Sequence, residues 1–181
     1  MKVRKNSLKK LIKEELEAMI VTLPDEGSAD TLVPLLCSHL GNIRAYNVWS
    51  HAAHQVTKGT GFLGDHIHLY GEIYQNLVEE YDKAAEKFIS LTDDEGVACP
   101  HRVMKHALES MEKFPSPNYQ PAEEIAKTAL QMTSRHKSCI EEVYKELDNR
   151  GQLTLGMDDF LSASYNIHEK YCYLLKQRLK K

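Results

Sequence analysis

Four long stretches of this chain bring an apolar residue round every third or fourth position, and strand-like alternation of apolar and polar residues is absent. A chain that offers only helical stripes has to bury them helix against helix. The first stretch, residues 31–56, carries Leu32, Leu36, Leu40, Ile43, Asn47, Ser50 and His54 on one face. The second, residues 62–91, carries Leu63, Ile67, Tyr70, Tyr74, Leu77, Tyr81, Ala84 and Phe88. Gly59 and Gly61 permit the reversal between them, and Phe62 opens the second helix. An acidic loop over 92–100, a shorter helix over 101–114 and three prolines (Pro115, Pro117, Pro121) make a longer connection. A helix over 121–149 follows, with Pro121 at its first turn and Ile125, Ala129, Met132, His136, Ile140, Val143 and Leu147 on its stripe. Gly151 ends it, and Asp158 or Asp159 starts the last helix, with Leu161, Tyr165, His168, Cys172, Leu175 and Leu179. The expected architecture is all-α: a four-helix bundle over 31–181 with a short extra helix between helices two and three.

Residues 1–30 read as a separate arm. Leu8, Leu11, Ile12, Leu16, Met19 and Ile20 form one amphipathic face, and Lys2, Arg4, Lys5, Lys9, Lys10 and Lys13 fall in residues 1–13 without an acid. Such an arm suits docking on the body or on a neighbouring subunit, or contact with DNA. Pro24 and Gly27 break it, and Asp30 or Thr31 can cap the next helix. The formal charge of -3 gives no global reason to expect nucleic-acid binding. Cys37, Cys99, Cys139 and Cys172 are scattered without a CxxC pair, as in a reducing compartment. No membrane span and no secretory signal are expected, and the protein is read as cytoplasmic.

The chemistry concentrates where the first stripe turns polar. His54 continues a core stripe and needs a partner there. On the second helix Asp82 and Glu86, four residues apart, share a face and can share a cation. At about 100° per residue, Asp82 lies on the shoulder of the stripe and Glu86 farther out, facing a groove or a subunit interface. A histidine nitrogen added to these carboxylates suits iron. The bland alternative is a solvated helix face and a histidine satisfied by a backbone carbonyl. His51 reads as a supporting residue, His136 and His168 as hydrogen-bonded core histidines, and His101 and His106 as surface. Tyr70, Tyr74 and Tyr81 read as core.

The spacing of His54, Gly59 and Phe62 resembles the junction between the first two helices of the Dps-type miniferritins, of the ferritin-like superfamily. Asp82 and Glu86 followed by Lys87, and the terminal helix from Asp159, are similar to that family too. The quartet Gly71-Glu-Ile-Tyr74 resembles Dps-like proteins of phages and environmental bacteria. The resemblance spans residues 31–180, and only 54–86 is specific enough to carry function.

It implies a ferritin-like bundle assembled as a spherical homo-oligomer, usually a dodecamer. Such a shell is a ferroxidase: it oxidises Fe2+ with peroxide or dioxygen, stores Fe3+ inside and protects DNA. The metal sites lie at a two-fold interface, with zinc as a surrogate ion. The setting is a bacterial cytoplasm or nucleoid, or a phage-infected host cell. Carried over by position, His54, Asp82 and Glu86 match. His66 matches by its distance of twelve residues from His54, but Tyr70 stands where the family has an Asp. The step from His66 to Asp82 is one residue longer than the pattern, an insertion that turns the helix surface by about 100° unless a π-bulge absorbs it. His68 with Glu72 restores a His–x3–acid unit, so the second histidine is His66 or His68, and Glu72 can stand for the missing Asp. The only tryptophan, Trp49, lies five residues before His54, instead of directly after it, where the family often has one. It is read as core, or as an electron donor if it approaches the site. The second reading keeps the fold without the chemistry: a structural or DNA-binding shell with a degenerate metal site.

Overall fold

A computed structural model describes residues 32–180. The arm 1–30, its basic residues 1–13 and the cap at Asp30 or Thr31 lie outside the described residues. Within them the chain forms α1 (Leu32–Val56), α2 (Glu72–Thr92), α3 (Pro100–Met111), α4 (Ala122–Asn149) and α5 (Leu155–Arg178). No strand occurs among the described residues. The fold is an all-α, ferritin-like four-helix bundle with a short extra helix between its second and third long helices. α1 lies against α2 and α4, α5 lies against α4 and α2, and α3 covers the outer side of α1. Each long helix therefore has two long neighbours and turns one stripe to a shared centre.

The apolar part of that centre includes Leu36, Leu40 and Ile43 of α1, Ile73, Leu77 and Phe88 of α2, Ile125, Ile140 and Leu147 of α4, and Leu175 of α5, all essentially inaccessible. Burying each such side chain is worth about 1.5–3 kcal/mol. Trp49 is core, and its indole N–H donates to the Pro115 carbonyl at 2.8 Å, tying the proline-rich connection to α1. None of the four cysteines forms a disulfide. The reversal after α1 falls where expected, with Gly59 at φ 93°, a backbone that an L side chain rarely adopts.

Two expectations need correction. The last helix starts at Leu155, ahead of Asp158, because the Thr154 hydroxyl accepts from the Met157 N–H at 3.2 Å and caps it. The stripe expected on the second helix is also partly out of phase. Leu63 and Ile67 are exposed, Tyr74 and Tyr81 are half-buried, and the buried line runs Leu69, Tyr70, Ile73, Leu77, Glu80, Ala84, Phe88. The cause is a π-helical segment over Gly64–Gly71, directly ahead of α2. Its i→i+5 hydrogen bonds fit an extra residue into a turn, so Asp65 and Tyr70, five apart, are both buried. This is the kind of bulge needed to absorb the extra residue between His66 and Asp82.

Candidate metal centres

The π segment is pinned at both ends. At its start the buried carboxylate of Asp65 accepts from Arg178 Nε of α5 at 2.9 and 3.1 Å. The same hydrogen bond, reinforced by the carboxylate's charge, raises the guanidinium's pKa. At its end Gly71 is buried, and a Cβ there would lie 2.7 Å from the His66 carbonyl oxygen and 3.5 Å from His54 Nδ1. The helix backbone thereby comes close enough to α1 for two histidines to meet. His54 Nδ1 donates to the His66 carbonyl at 2.7 Å, and His66 Nδ1 donates to the His54 carbonyl at 2.7 Å. The rings stack at 3.7 Å between centroids, 14° from parallel. Phe62 stacks on the outer side of His66 at 4.8 Å, and His51 stacks on Tyr74 at 4.6 Å beside His54.

A carbonyl oxygen only accepts, so both Nδ1 atoms carry the proton, and in the neutral rings each Nε2 keeps its lone pair. Metal-bound histidines are held in this way, with the second nitrogen donating to a carbonyl or carboxylate. The bland alternative also expected a backbone-bonded His54. It gives no reason for a second ring to be fixed in the same tautomer against the first.

The other expected ligands stand apart. His68 is exposed and lies 3.9 Å from Glu72, whose other oxygen pairs with Lys170 Nζ at 3.0 Å. Asp82 and Glu86 are exposed on α2. At 1.5 Å per residue the sixteen residues from His66 put Asp82 about 24 Å along the helix. Within one subunit the histidine pair and the carboxylate pair do not meet. Tyr70, at the position of the expected acid, is buried and its hydroxyl has no hydrogen-bond partner.

A second cluster sits in the bundle centre. Glu80 Oε1 accepts from His136 Nε2 and Glu80 Oε2 from His168 Nε2, each at 2.8 Å. The two rings are fully buried and Glu80 is 7% exposed. One ligand atom from each of the three lies within 4.8 Å of the others, which makes a candidate metal-binding triad. Asn42 Nδ2 of α1 donates to His136 Nδ1 at 2.9 Å, and Ser110 of α3 donates to Asn42 Oδ1 at 3.2 Å. Two further nitrogens, His168 Nδ1 and His39 Nδ1, are buried without a hydrogen-bond partner. His39 stacks on His136 at 5.6 Å. Burial disfavours the Glu80 carboxylate, but His136 and His168 outweigh it and hold its pKa below the usual carboxylate range. Burial, aided by His136, lowers the His168 pKa, with Glu80 opposing. Burial likewise pushes His39 down to about 3.

The expectation that His136 and His168 are hydrogen-bonded core histidines is met. Glu80, their partner, was missed. The signal was present: Glu80 stands three residues after Leu77 and four before Ala84, on the apolar line, where a charge requires a partner. The stripe drawn through Tyr81 hid it.

No family model and no curated relative matches the sequence. Among solved structures the chain is similar to a histidine-to-glycine point mutant of Listeria innocua Dps, at 16% identity and a TM-score of 0.66, over 82% of this chain and 95% of that one. It is similar as well to Listeria innocua Dps before soaking with Zn, Co and La, at 16% identity and a TM-score of 0.67, over 84% of this chain and 96% of that one. The fold is thus that of a Dps-like miniferritin. At this identity the likeness speaks for the fold alone.

Proposed function

We propose that this protein, built on the Dps-like miniferritin fold, binds and oxidises ferrous iron and keeps the ferric product inside a hollow homo-oligomer. The observation that supports this is the His54–His66 pair, two imidazoles locked with Nδ1 protonated and Nε2 available. A second copy, related by a two-fold axis, supplies Asp82 and Glu86 to complete the set, because the subunit's own pair is out of reach. His68 and Glu72, two and six residues after His66 in the chain, offer a further nitrogen and carboxylate. Zinc fits the same donors as a surrogate.

The chemistry follows from the donors. Imidazoles hold Fe2+, and carboxylates favour the harder Fe3+, so the ion gives up its electron more readily to peroxide or dioxygen while bound. The chain's part is to hold the nitrogens in one tautomer, bring carboxylates from the neighbouring copy and leave coordination positions open. A dodecamer is the assembly the resemblance implies, and protection of DNA follows from removing ferrous iron and peroxide together. Residues 1–13 are the segment that would meet DNA, and their deletion should reduce salt-sensitive DNA retention. Absence of DNA binding by the intact chain would overturn that role. Among the described residues no helix is long and apolar enough to cross a membrane, and the proposed setting is the cytoplasm.

The test is ferrous oxidation by peroxide or air, followed by ferric absorbance and by imaging of mineral cores. His54→Ala and Asp82→Ala should each slow protein-dependent oxidation by an order of magnitude or more. Unchanged rates in both variants sink the site. A shell that assembles but neither binds nor oxidises iron favours the second reading, a non-catalytic shell, for which buried Tyr70 in the place of an acid is the motivating observation.

A further inference from the structure

We propose that each subunit carries a second, internal metal centre in the middle of its bundle, where Glu80, His136 and His168 take a first-row divalent transition ion. It uses none of the residues assigned to iron oxidation at the subunit interface and stands or falls independently of that reading.

Three helices contribute one donor each: α2 the carboxylate, α4 and α5 one imidazole each. Two imidazoles and a carboxylate are the donor set of many zinc and non-haem iron sites, which keep further coordination positions open. The dimensions suit such an ion. The Nε2–carboxylate distances are 2.8 Å on both sides. Bonds of about 2.1 Å to a common ion would set neighbouring donors about 3.0–3.4 Å apart, so each nitrogen–oxygen pair needs to open by only a few tenths of an ångström, and the three ligand atoms already lie within 4.8 Å of one another.

Without an ion the arrangement is a costly way to fill a core. Both Nε2 protons are directed to Glu80 and neither Nδ1 meets an acceptor, so each ring carries a single proton and the cluster keeps the carboxylate's negative charge. His168 Nδ1 is left with a bare lone pair and no donor. A buried polar atom without a partner is destabilising, and apolar residues of similar volume often replace a buried ionic cluster without loss. A divalent cation removes the first difficulty, the uncompensated charge. It takes the two Nε2 lone pairs, each ring's single proton passing to Nδ1 by exchange with solvent and none being released overall, and its charge offsets the carboxylate's. Each Nδ1 then becomes the protonated nitrogen.

The surroundings of His136 can follow that change. With the ion absent, Asn42 Nδ2 donates to His136 Nδ1 and Asn42 Oδ1 accepts from Ser110. Turning the Asn42 amide over lets Oδ1 accept the new Nδ1 proton while Nδ2 donates to the Ser110 hydroxyl, which can accept as readily as donate. The Asn42–Ser110 pair thus satisfies His136 in either tautomer. Asn42 is a positioning residue for the ion.

The experiment uses the assembled full chain, stripped with a chelator and titrated with Co2+, read by visible ligand-field absorption and by metal analysis per subunit. In a His54→Ala/His66→Ala background, which removes the interface nitrogens, about one Co2+ per subunit should remain. Adding Glu80→Gln should abolish it, with at least a hundredfold weaker binding. No Co2+ in that background, or full binding after Glu80→Gln, overturns the proposal. If the combined variant fails to fold, anomalous scattering from Co2+-soaked crystals of the unaltered protein decides. A peak between Glu80, His136 and His168 supports the centre, and its absence overturns it.

Discussion

The two histidine clusters use the same side chains in opposite tautomers. At the helix junction His54 and His66 direct their Nδ1 protons to backbone carbonyls, so each Nε2 is free before any ion arrives. In the bundle centre His136 and His168 both direct their Nε2 protons to Glu80. The first cluster is anchored by backbone and has no carboxylate of its own; on the proposed function it is a half-site. The second has its carboxylate already and must shift its imidazole protons from Nε2 to Nδ1 to accept a cation. The contrast separates a pair whose Nε2 atoms are open to a ligand from a cluster built into the core.

The largest expected difference is in stability. Glu80→Ala leaves two buried N–H donors without an acceptor and should destabilise the metal-free protein by about 3–5 kcal/mol. His54→Ala removes a half-buried ring from a helix end and should cost about 1 kcal/mol or less. Urea denaturation of the two variants in a chelator measures both. Comparable losses would erase the distinction between core and junction.

Acid should act on the core in the same sense. His39 is held down to about 3 from an ordinary 6.5, mainly by burial, and faces His136, Glu80 and His168. The unfolded chain therefore binds more protons between those values, and stability falls as pH drops below about 6.5. Glu80, whose pKa is also lowered, adds to the loss only below its ordinary 4.5, as the carboxylate is protonated. A tenfold change in proton affinity is worth about 1.36 kcal/mol, so the fall amounts to a few kcal/mol. His39→Leu should flatten the part between pH 6.5 and 4.5 in a urea-derived stability profile. An unchanged slope would place the acid sensitivity elsewhere.

How far each cluster could be read beforehand depends on what the sequence encodes locally. The bundle was legible because apolar spacing is a property of one helix at a time, and the spacing of Leu36, Leu40 and Ile43 needs no knowledge of α4. His54 and His66 were legible through their separation across a short reversal. Which of His66 and His68 turns toward His54 was not, because the π segment changes the turn under them, and its signature is only one residue too many. Glu80 was lost for the opposite reason. Its meaning lies in His136 and His168, more than fifty residues on, and helical spacing alone offered Tyr81 as an equally good stripe residue.

The next effect isolates the support of the core cluster. Asn42→Leu keeps the branched shape of the side chain but removes the amide that serves His136 Nδ1. Loss of such an outer partner typically weakens metal binding 10–100-fold. Co2+ affinity at the core should fall by that factor, while iron oxidation rates stay within experimental error. A core affinity that does not move would show that Asn42 only fills space.

The smallest effect belongs to the junction and is the most selective. Gly71 lets α2 approach α1, and a methyl group there would meet the His66 carbonyl oxygen at 2.7 Å, closer than real Cβ contacts come. That oxygen is backbone, so it cannot rotate away. It has to move with the π segment, and it is the acceptor that fixes the tautomer of His54. Gly71→Ala should therefore loosen the His54–His66 stack and weaken Zn2+ or Co2+ binding at the junction by about tenfold, as disturbance of an outer partner does. Core binding should be untouched, because Glu80 lies more than two helical turns farther along α2. Parallel titrations of Gly71→Ala in the presence and absence of Glu80→Gln separate the two. A loss that appears only when Glu80 is intact would mean that the clusters communicate through α2.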